Sequence, residues 1–308
     1  MENIATVSLG RPARELSGEL GASFAEWGFA IVRDHGLPEE LVSRAWELTR
    51  QFFALPDEAK RRYAIPGGGG ARGYTPFGIE RAKDATVHDL KEFWHDGRSL
   101  PPGDPLESVM APNIWPDELP DFKPVFEALY RAFDLAGSRI LRAIALHLGL
   151  AEDWFDSAVE NGNSVMRLLH YPPLADAQEG AIRAAAHGDI NAITLLLGAE
   201  EAGLELLTRK GEWLPIHPPQ GALVVNIGDM LERLTNNRLK STLHRVVNPV
   251  GEAARRSRYS MPFFLHFRPD FTIRTLPGCV DADHPDLYPE PISSHDFLLQ
   301  RLREINLA

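Results

Sequence analysis

From Ser164 onward the chain is a succession of short β-compatible runs separated by Gly, Pro, Asn and Asp. They are Val165 to Tyr171, Ala192 to Leu197, Leu204 to Thr208, Ala222 to Ile227, Thr242 to Val247 and Tyr259 to Phe267. Runs this short cannot cover their own apolar faces, so they must pair and stack, and the spacing predicts a β sandwich or barrel. A double-stranded β-helix, or jelly roll, is the leading version. The tail from Ser294 to Leu307 reads as a helix with Ser293 or Ser294 as its N-cap.

Ahead of Ser164 the apolar residues recur at helical spacing instead. Leu16, Leu20, Phe24 and Trp27 share one face, and Leu41, Ala45, Leu48 and Phe52 or Phe53 another. Gly28 to Val32 reads as a short strand, His35-Gly36-Leu37-Pro38 as a turn, and Leu55-Pro56-Asp57-Glu58 as the start of a short helix. A long helix runs from about Asp121 to Leu148 and stops at Gly149, with a short one from Glu152 to Val159 after it. Gly67-Gly68-Gly69-Gly70 lacks the Lys-Ser/Thr of a phosphate loop and reads as flexible backbone. Ala71 to Pro76 reads as a lid or rim, Asp89 to Trp94 as amphipathic, and residues 100 to 120 as irregular. The expected class is α+β with a mostly β core, flanked by N-terminal helices and a C-terminal helix. Residues 1–160 form a helical N-terminal region packed on the core, and 161–308 the jelly roll with its C-terminal helix. A chain of 308 residues is long enough to bury a full core.

Within the β half, His187 and Asp189 stand two residues apart, just ahead of the apolar run Ala192 to Leu197. In an extended segment residues i and i+2 point to one face, so an imidazole and a carboxylate project together. His244, in Ser241-Thr242-Leu243-His244-Arg245-Val246, supplies a third group. Two His and one carboxylate on one side of an ion leave positions open for substrate and O2, the pattern of non-heme Fe(II) oxygenases. A second His-x-Asp, His284-Pro285-Asp286, is an internal control: it lies in a Pro- and Asp-rich surface segment and has no partner resembling the His244 segment. His35 has no second ligand nearby and reads as a turn or packing residue.

Arg258 and Ser260 repeat the two-residue spacing at the head of the last strong strand. A guanidinium beside a hydroxyl inside a barrel clamps a carboxylate, the Arg bonding bidentately, and a buried Arg without an anion is costly. The overlapping Arg255-Arg256-Ser257 follows Pro249-Val250-Gly251-Glu252 and reads as solvated. Strand phase puts Arg167 with Leu169 and Tyr171, and Phe264 and His266 with Arg258 and Ser260. Arg167 then either faces the cavity and meets an anionic substrate or caps a solvent-facing strand end. Phe264 lines the substrate space or the core. His266 is a substrate contact or a satisfied core or rim histidine.

These residues carry a resemblance. The chain resembles, over nearly its whole length, the isopenicillin N synthase-like branch of the Fe(II)/2-oxoglutarate-dependent oxygenases. The matching stretches are Gly28-Phe29-Ala30-Ile31-Val32 with His35-Gly36, Phe52-Phe53-Ala54-Leu55-Pro56 with Lys60, Gly73-Tyr74, and Asp89-Leu90-Lys91-Glu92. Asn226-Ile227-Gly228-Asp229 with Leu234-Thr235-Asn236, and Ser241 to Val246, match its core. The resemblance implies that His187, Asp189 and His244 bind Fe(II), that Arg258 with Ser260 holds the distal carboxylate of 2-oxoglutarate, and that Tyr171 lies near that cosubstrate. It implies a dioxygenase that hydroxylates, desaturates or cyclises a small organic molecule while 2-oxoglutarate becomes succinate and CO2. Many plant members carry Asn two residues before the tyrosine; here Leu169 stands there, with no amide to offer the cosubstrate's other carboxylate.

Other readings share parts of this pattern. Zn2+ also accepts two His and a carboxylate, so a hydrolase fits the triad, but it has no use for the carboxylate clamp. A non-catalytic binding module needs neither. Isopenicillin N synthase and the ethylene-forming plant oxidase work without 2-oxoglutarate, and Arg-x-Ser does not exclude them. With 32 Lys+Arg against 43 Asp+Glu, the net charge of -11 argues against nucleic acid or an anionic membrane as partner. No apolar run approaches the roughly 20 residues that span a bilayer, and the N-terminus lacks a basic region followed by an apolar core. The expectation is a cytoplasmic enzyme, monomeric or weakly homo-oligomeric, whose partners are a small-molecule substrate and O2. The lone Cys279 rules out an intrachain disulfide or a Cys-rich metal site.

Overall fold

The computed structural model describes residues 4–67, 70–79, 88–173, 182–198 and 203–304. Gly68 and Gly69, and residues 305–307 of the expected C-terminal helix, lie outside them. In chain order the first half holds β1 (Thr6–Ser8), α1 (Ala13–Trp27), β2 (Phe29–Arg33), α2 (Glu39–Phe53), α3 (Asp57–Arg61), β3 (Gly73–Thr75), β4 (Glu92–Gly97), α4 (Phe122–His147) and α5 (Asp156–Val159). The second half holds β5 (Val165–Tyr171), β6 (Ala184–His187), β7 (Ile193–Leu197), β8 (Leu204–Leu207), β9 (Trp213–Pro215), β10 (Leu223–Ile227), α6 (Asp229–Leu234), β11 (His244–Val246), β12 (Arg258–Leu265) and α7 (Ser294–Glu304). The Ser293 hydroxyl accepts the Asp296 N–H at 3.0 Å and caps α7, as the sequence predicts.

The strands form the two sheets of a jelly roll. The larger runs β1-β2-β10-β7-β12-β5-β4-β3 and the smaller β6-β11-β8-β9. Neighbours are antiparallel, apart from the parallel pair β1 and β2. Side chains alternate across the large sheet. Met261, Phe263 and Leu265 of β12, with Leu195 and Leu197 of β7, face outward onto α4. Phe133 of α4 stacks on Phe263 with ring centres 5.3 Å apart, and Gly137 lets the helix approach so closely that a Cβ would overlap Leu265. Truncating such a buried phenylalanine to alanine costs about 3–5 kcal/mol. The opposite residues, Arg258, Ser260 and Phe264 of β12 with Thr194 of β7 and Asn226 of β10, face the space between the sheets.

The N-terminal half gives the large sheet four of its strands, two at each edge, where the sequence shows only Gly28 to Val32. The second half of the Asp89 to Trp94 stretch, amphipathic in sequence, opens β4, and Ala71 to Pro76 contains the edge strand β3. Every residue of β4 is buried, Glu92, His95 and Asp96 included. Glu92 survives there because partners distant in sequence converge on it. Lys60 Nζ donates to Oε2 at 2.8 Å, the Tyr74 hydroxyl donates to the same oxygen, and His170 Nδ1 lies 2.7 Å from Oε1. Burial pulls the Glu92 carboxyl up, but the bonds from His170, Lys60 and Tyr74 outweigh it and leave it below the usual range. His170 in turn stacks on Tyr259 at 4.8 Å and meets the Ser257 hydroxyl at 2.9 Å. This network fastens α3 and the edge strands to β5 and β12.

Gly28 ends α1 with φ of 69°, and a Cβ there would overlap Thr242 and the Lys240 carbonyl. Only glycine serves both demands. The junction thereby sets the segment leading into His244 against the end of α1.

Candidate metal centre

β6 and β11 lie side by side in the small sheet, with His187 directly opposite His244. The two rings lie 4.4 Å apart, and the edge of Phe29 packs on His244 at 5.6 Å. β6 stops at His187, so Asp189 comes from the turn after the strand and not from strand alternation. That turn is held by the Asp229 N–H, which donates to the Asp189 carbonyl at 2.7 Å. Ser241 and Asp229 crowd Gly188 on its side-chain side, at 3.1 and 3.3 Å from a built Cβ.

Asp189 Oδ1 sits 3.9 Å from His187 Nε2 and 3.8 Å from His244 Nε2. All three ligand atoms lie within 4.8 Å of one another. His187 Nδ1 faces the Ala185 carbonyl at 2.7 Å, and His244 Nδ1 faces the Thr242 carbonyl at 3.2 Å. A carbonyl only accepts, so each Nδ1 carries the proton and each Nε2 offers its lone pair to the common centre. The outer oxygen of Asp189, Oδ2, accepts from Thr194 Oγ1 at 2.6 Å and Asn226 Nδ2 at 2.8 Å, which turns Oδ1 toward the imidazoles.

The electrostatics agree. Desolvation, then the neighbouring His244, pushes His187 down to about 4 against the pull of Asp189. Burial raises Asp189, but the two imidazoles, Asn226 and Thr194 outweigh it and leave the carboxyl below its ordinary value. At neutral pH the site therefore presents a neutral His187 and an ionised carboxylate, the state a divalent metal requires. Two imidazole nitrogens and one carboxylate oxygen on one side of a point fit Fe(II).

The clamp residues face the same inter-sheet space. Arg258 and Ser260 are buried on the inner side of β12, Arg258 pairs in register with Tyr171, and its guanidinium lies 5.0 Å from that ring. Leu169 is buried with Phe93 and Tyr171 as a small apolar cluster. Arg167 is on the inner face, its Nε donating to His95 Nε2 at 2.5 Å. Phe264 is there too, 5.3 Å from the Arg167 guanidinium. His266 lies just past β12 with Nδ1 on the Phe264 carbonyl at 3.0 Å, and burial drives it down to about 4. Arg255 of the overlapping motif is exposed. His284 of the second His-x-Asp is bonded to Asp281, also at the surface. A crevice of about 310 Å3 bounded by Leu9, Arg11, Leu16, Arg139 and Glu152 contains none of these groups.

Sequence reasoning misses Thr194 and Asn226, although each is the polar residue at an inward position of an otherwise apolar run. It also misses His95 and Arg72, which lie in segments with no strand signature.

A jelly roll that gathers this triad defines the class of non-heme iron oxygenases. Two family models match the chain: the N-terminal model of the non-haem dioxygenases in morphine synthesis, over residues 4–118, and the 2OG-Fe(II) oxygenase superfamily model over residues 162–267. The chain is 35% identical to the 2-oxoglutarate-Fe(II) type oxidoreductase hxnY of Emericella nidulans, covering 88% of this chain and 79% of that one. Among solved structures, a 2OG-Fe(II) oxygenase family protein of Caulobacter crescentus is 54% identical with a TM-score of 0.92, covering 99% of this chain and 100% of that one. A full-length Neurospora crassa protein, solved with alpha-KG and with alpha-KG and thymine, is 29% identical with a TM-score of 0.85 in the former, covering 97% of this chain and 95% of that one. The chain belongs to the 2OG-Fe(II) oxygenase superfamily. It is a 2-oxoglutarate-dependent dioxygenase that uses Fe(II) and O2 to oxidise a small organic molecule, converting 2-oxoglutarate to succinate and CO2. Among the described residues no helix is long and apolar enough to cross a membrane.

Proposed function

We propose that His187, Asp189 and His244 are the iron ligands, that Arg258 and Ser260 take the distal carboxylate of 2-oxoglutarate beside Tyr171, and that Arg167, Phe264 and His266 line the space for the oxidised substrate. The observation that carries this reading is the pair of Nδ1 bonds to the Ala185 and Thr242 carbonyls, which commits both Nε2 atoms to one point beside Asp189 Oδ1. Iron with its cosubstrate supplies the O2-activating chemistry; the protein supplies position. Thr194 and Asn226 hold the carboxylate, and the carbonyls hold the rings. Phe93, Leu169 and Phe264 make that part of the cavity apolar and limit water around the reacting carbon. Leu169 gives the cosubstrate no amide contact, so its orientation rests on Arg258, Ser260 and the metal. Hydroxylation, desaturation and ring closure are all open to such a site. The net charge of -11 disfavours nucleic acid and anionic membranes as partners, and the enzyme is taken as cytoplasmic and monomeric or weakly associated.

Anaerobic addition of 2-oxoglutarate to the Fe(II)-loaded protein is expected to raise a visible charge-transfer band. Arg258→Met is expected to demand about tenfold more 2-oxoglutarate or beyond, since a hydrogen bond to a charged group is worth ~1.5–3 kcal/mol. Its Fe(II) affinity is expected to hold. An iron-bound protein that develops no band, or an Arg258→Met protein with parental 2-oxoglutarate affinity, refutes the assignment.

A further inference from the structure

Two guanidinium groups, Arg167 of β5 and Arg72 just ahead of β3, lie against the inner face of β4, and neither the metal nor the clamp uses them. His95 pairs in register with Arg167. Its Nδ1 lies 2.5 Å from the Gly70 carbonyl, and its Nε2 accepts the Arg167 Nε–H at 2.5 Å. The carbonyl fixes the proton on Nδ1, so His95 is neutral while it orients Arg167. The Arg167 guanidinium lies 4.2 Å from the centre of the Phe93 ring and 5.3 Å from that of Phe264, a cation between two aromatic faces.

The next inward position along β4 is Gly97. The Arg72 guanidinium occupies the place of its missing side chain, so closely that a Cβ there would overlap it. Arg72 is only 4% exposed. Nη1 bonds the Ala71 carbonyl at 2.7 Å, while Nε and Nη2 have no hydrogen-bond partner among the described residues. Asp96, buried on the opposite face of the strand, forms no ion pair with it within 4.0 Å. Burial holds the Asp96 carboxyl well above the usual range against the pull of Arg72. Gly97 lies on the same side of β4 as Phe93 and His95, so this guanidinium fills the inward side of the strand, next to the Phe93, Leu169 and Tyr171 cluster. Two buried donors left without acceptors are costly, and an acceptor-only anion entering between the strands relieves that cost.

We propose that the substrate is a small organic acid, its carboxylate seated between Arg72 and Arg167 and its apolar body against Phe93 and Phe264. This rests on the assignment of Arg167 and Phe264 to the substrate space. Arg72 is the addition, and it turns a general cavity into one selective for an acid.

The test is calorimetric titration of the anaerobic protein, loaded with Fe(II) and saturating 2-oxoglutarate, with phenylacetate and with phenylacetamide. The acid is expected to bind about tenfold tighter than the amide or better. Arg72→Met and Arg167→Met are each expected to abolish that preference, while Arg72→Lys retains part of it. Equal binding of acid and amide, binding of neither, or displacement of 2-oxoglutarate by the acid overturns the proposal. So does an Arg72→Met protein with parental acid affinity whose lowered melting temperature is restored by Asp96→Asn, since Arg72 then serves only the fold. Where Arg72→Met does not fold, Arg167→Met and Arg72→Lys carry the same comparison. The charge-transfer band is recorded in the same samples. Its absence marks failure of the cosubstrate assignment, and its presence with equal acid and amide binding marks failure of this one alone.

Discussion

Thr194→Val keeps the shape of a buried β-branched side chain and removes one hydroxyl. Thr194 is 3% exposed, and its Oγ1 donates one of the two side-chain bonds to Asp189 Oδ2, at 2.6 Å; Asn226 donates the other at 2.8 Å. Asn191 Nδ2 also reaches Thr194, at 3.1 Å, but keeps its shorter bond to the Ile193 carbonyl at 2.7 Å. The loss therefore falls on the carboxylate. A hydrogen bond to a charged group is worth ~1.5–3 kcal/mol, and the metal-free protein should lose about that in stability. With a single donor on Oδ2 the carboxylate can rotate Oδ1 out of line with the two Nε2 atoms. Removing a group that orients a ligand costs ~10–100-fold in metal affinity, or about 1.4–2.7 kcal/mol. Anaerobic calorimetric titration with Fe(II), beside urea unfolding of the metal-free protein, separates the two effects. An affinity within about threefold of the parent in a folded protein refutes the claim that Thr194 holds the ligand, whatever happens to stability.

Glu92→Gln is expected to cost about 3–5 kcal/mol, because it leaves buried Lys60 without its main counter-ion. Asp57, 3.2 Å from Lys60 Nζ, moves the loss toward the lower figure, and urea midpoints measure it. Because the folded Glu92 carboxyl lies below its ordinary value, its contribution is present above the unfolded value and fades as pH falls through the folded one. The variant should lack that acid limb, and an unchanged limb counts against it. His266, at about 4 when folded against 6.5 ordinarily, works in the same sense by another route. Between those values the unfolded chain binds a proton that the folded chain refuses, so the metal-free protein weakens as pH drops from 6.5 to 4. His187 titrates over the same window, so His266→Gln should remove part of the decline and leave the rest; an unchanged or steeper decline refutes the assignment. His244→Ala should abolish Fe(II) binding and His284→Ala leave it intact, and a metal titration giving the reverse moves the site.

Much of this is legible in the sequence because strand phase and side-chain chemistry act locally. The run Val165 to Tyr171 is β5 to the residue, and the alternation through Arg258 and Ser260 points both inward. The exposed copies at His284 and Arg255 are separable from the inward-facing ones by their polar, Pro-rich or Gly-containing surroundings. His187 and Asp189 do meet, but for a different geometric reason from the one strand spacing suggests, since a turn and not a strand presents the carboxylate. β4 is not legible. Glu-Phe-Trp-His-Asp-Gly has no apolar alternation, and its burial depends on Lys60, Tyr74, His170 and Arg72, none of which a local window contains. Arg72 illustrates the limit: in sequence it belongs to a rim, while the space it fills exists only because residue 97 of another strand is glycine.

β4 has one face on the helices and the other on the cavity, and it arrives from the N-terminal half. The proposed iron ligands all arrive from the C-terminal half, as do Arg167 and Phe264. The proposed substrate space is thus walled by both halves of the polypeptide, which meet along a single ladder, β4 against β5. A hybrid joining residues 1–160 of this chain to the matching second half of a relative would draw its reactivity from the relative and its appetite from both parents. Its success would depend on the mortise of Lys60, Glu92 and His170 that locks the two halves together.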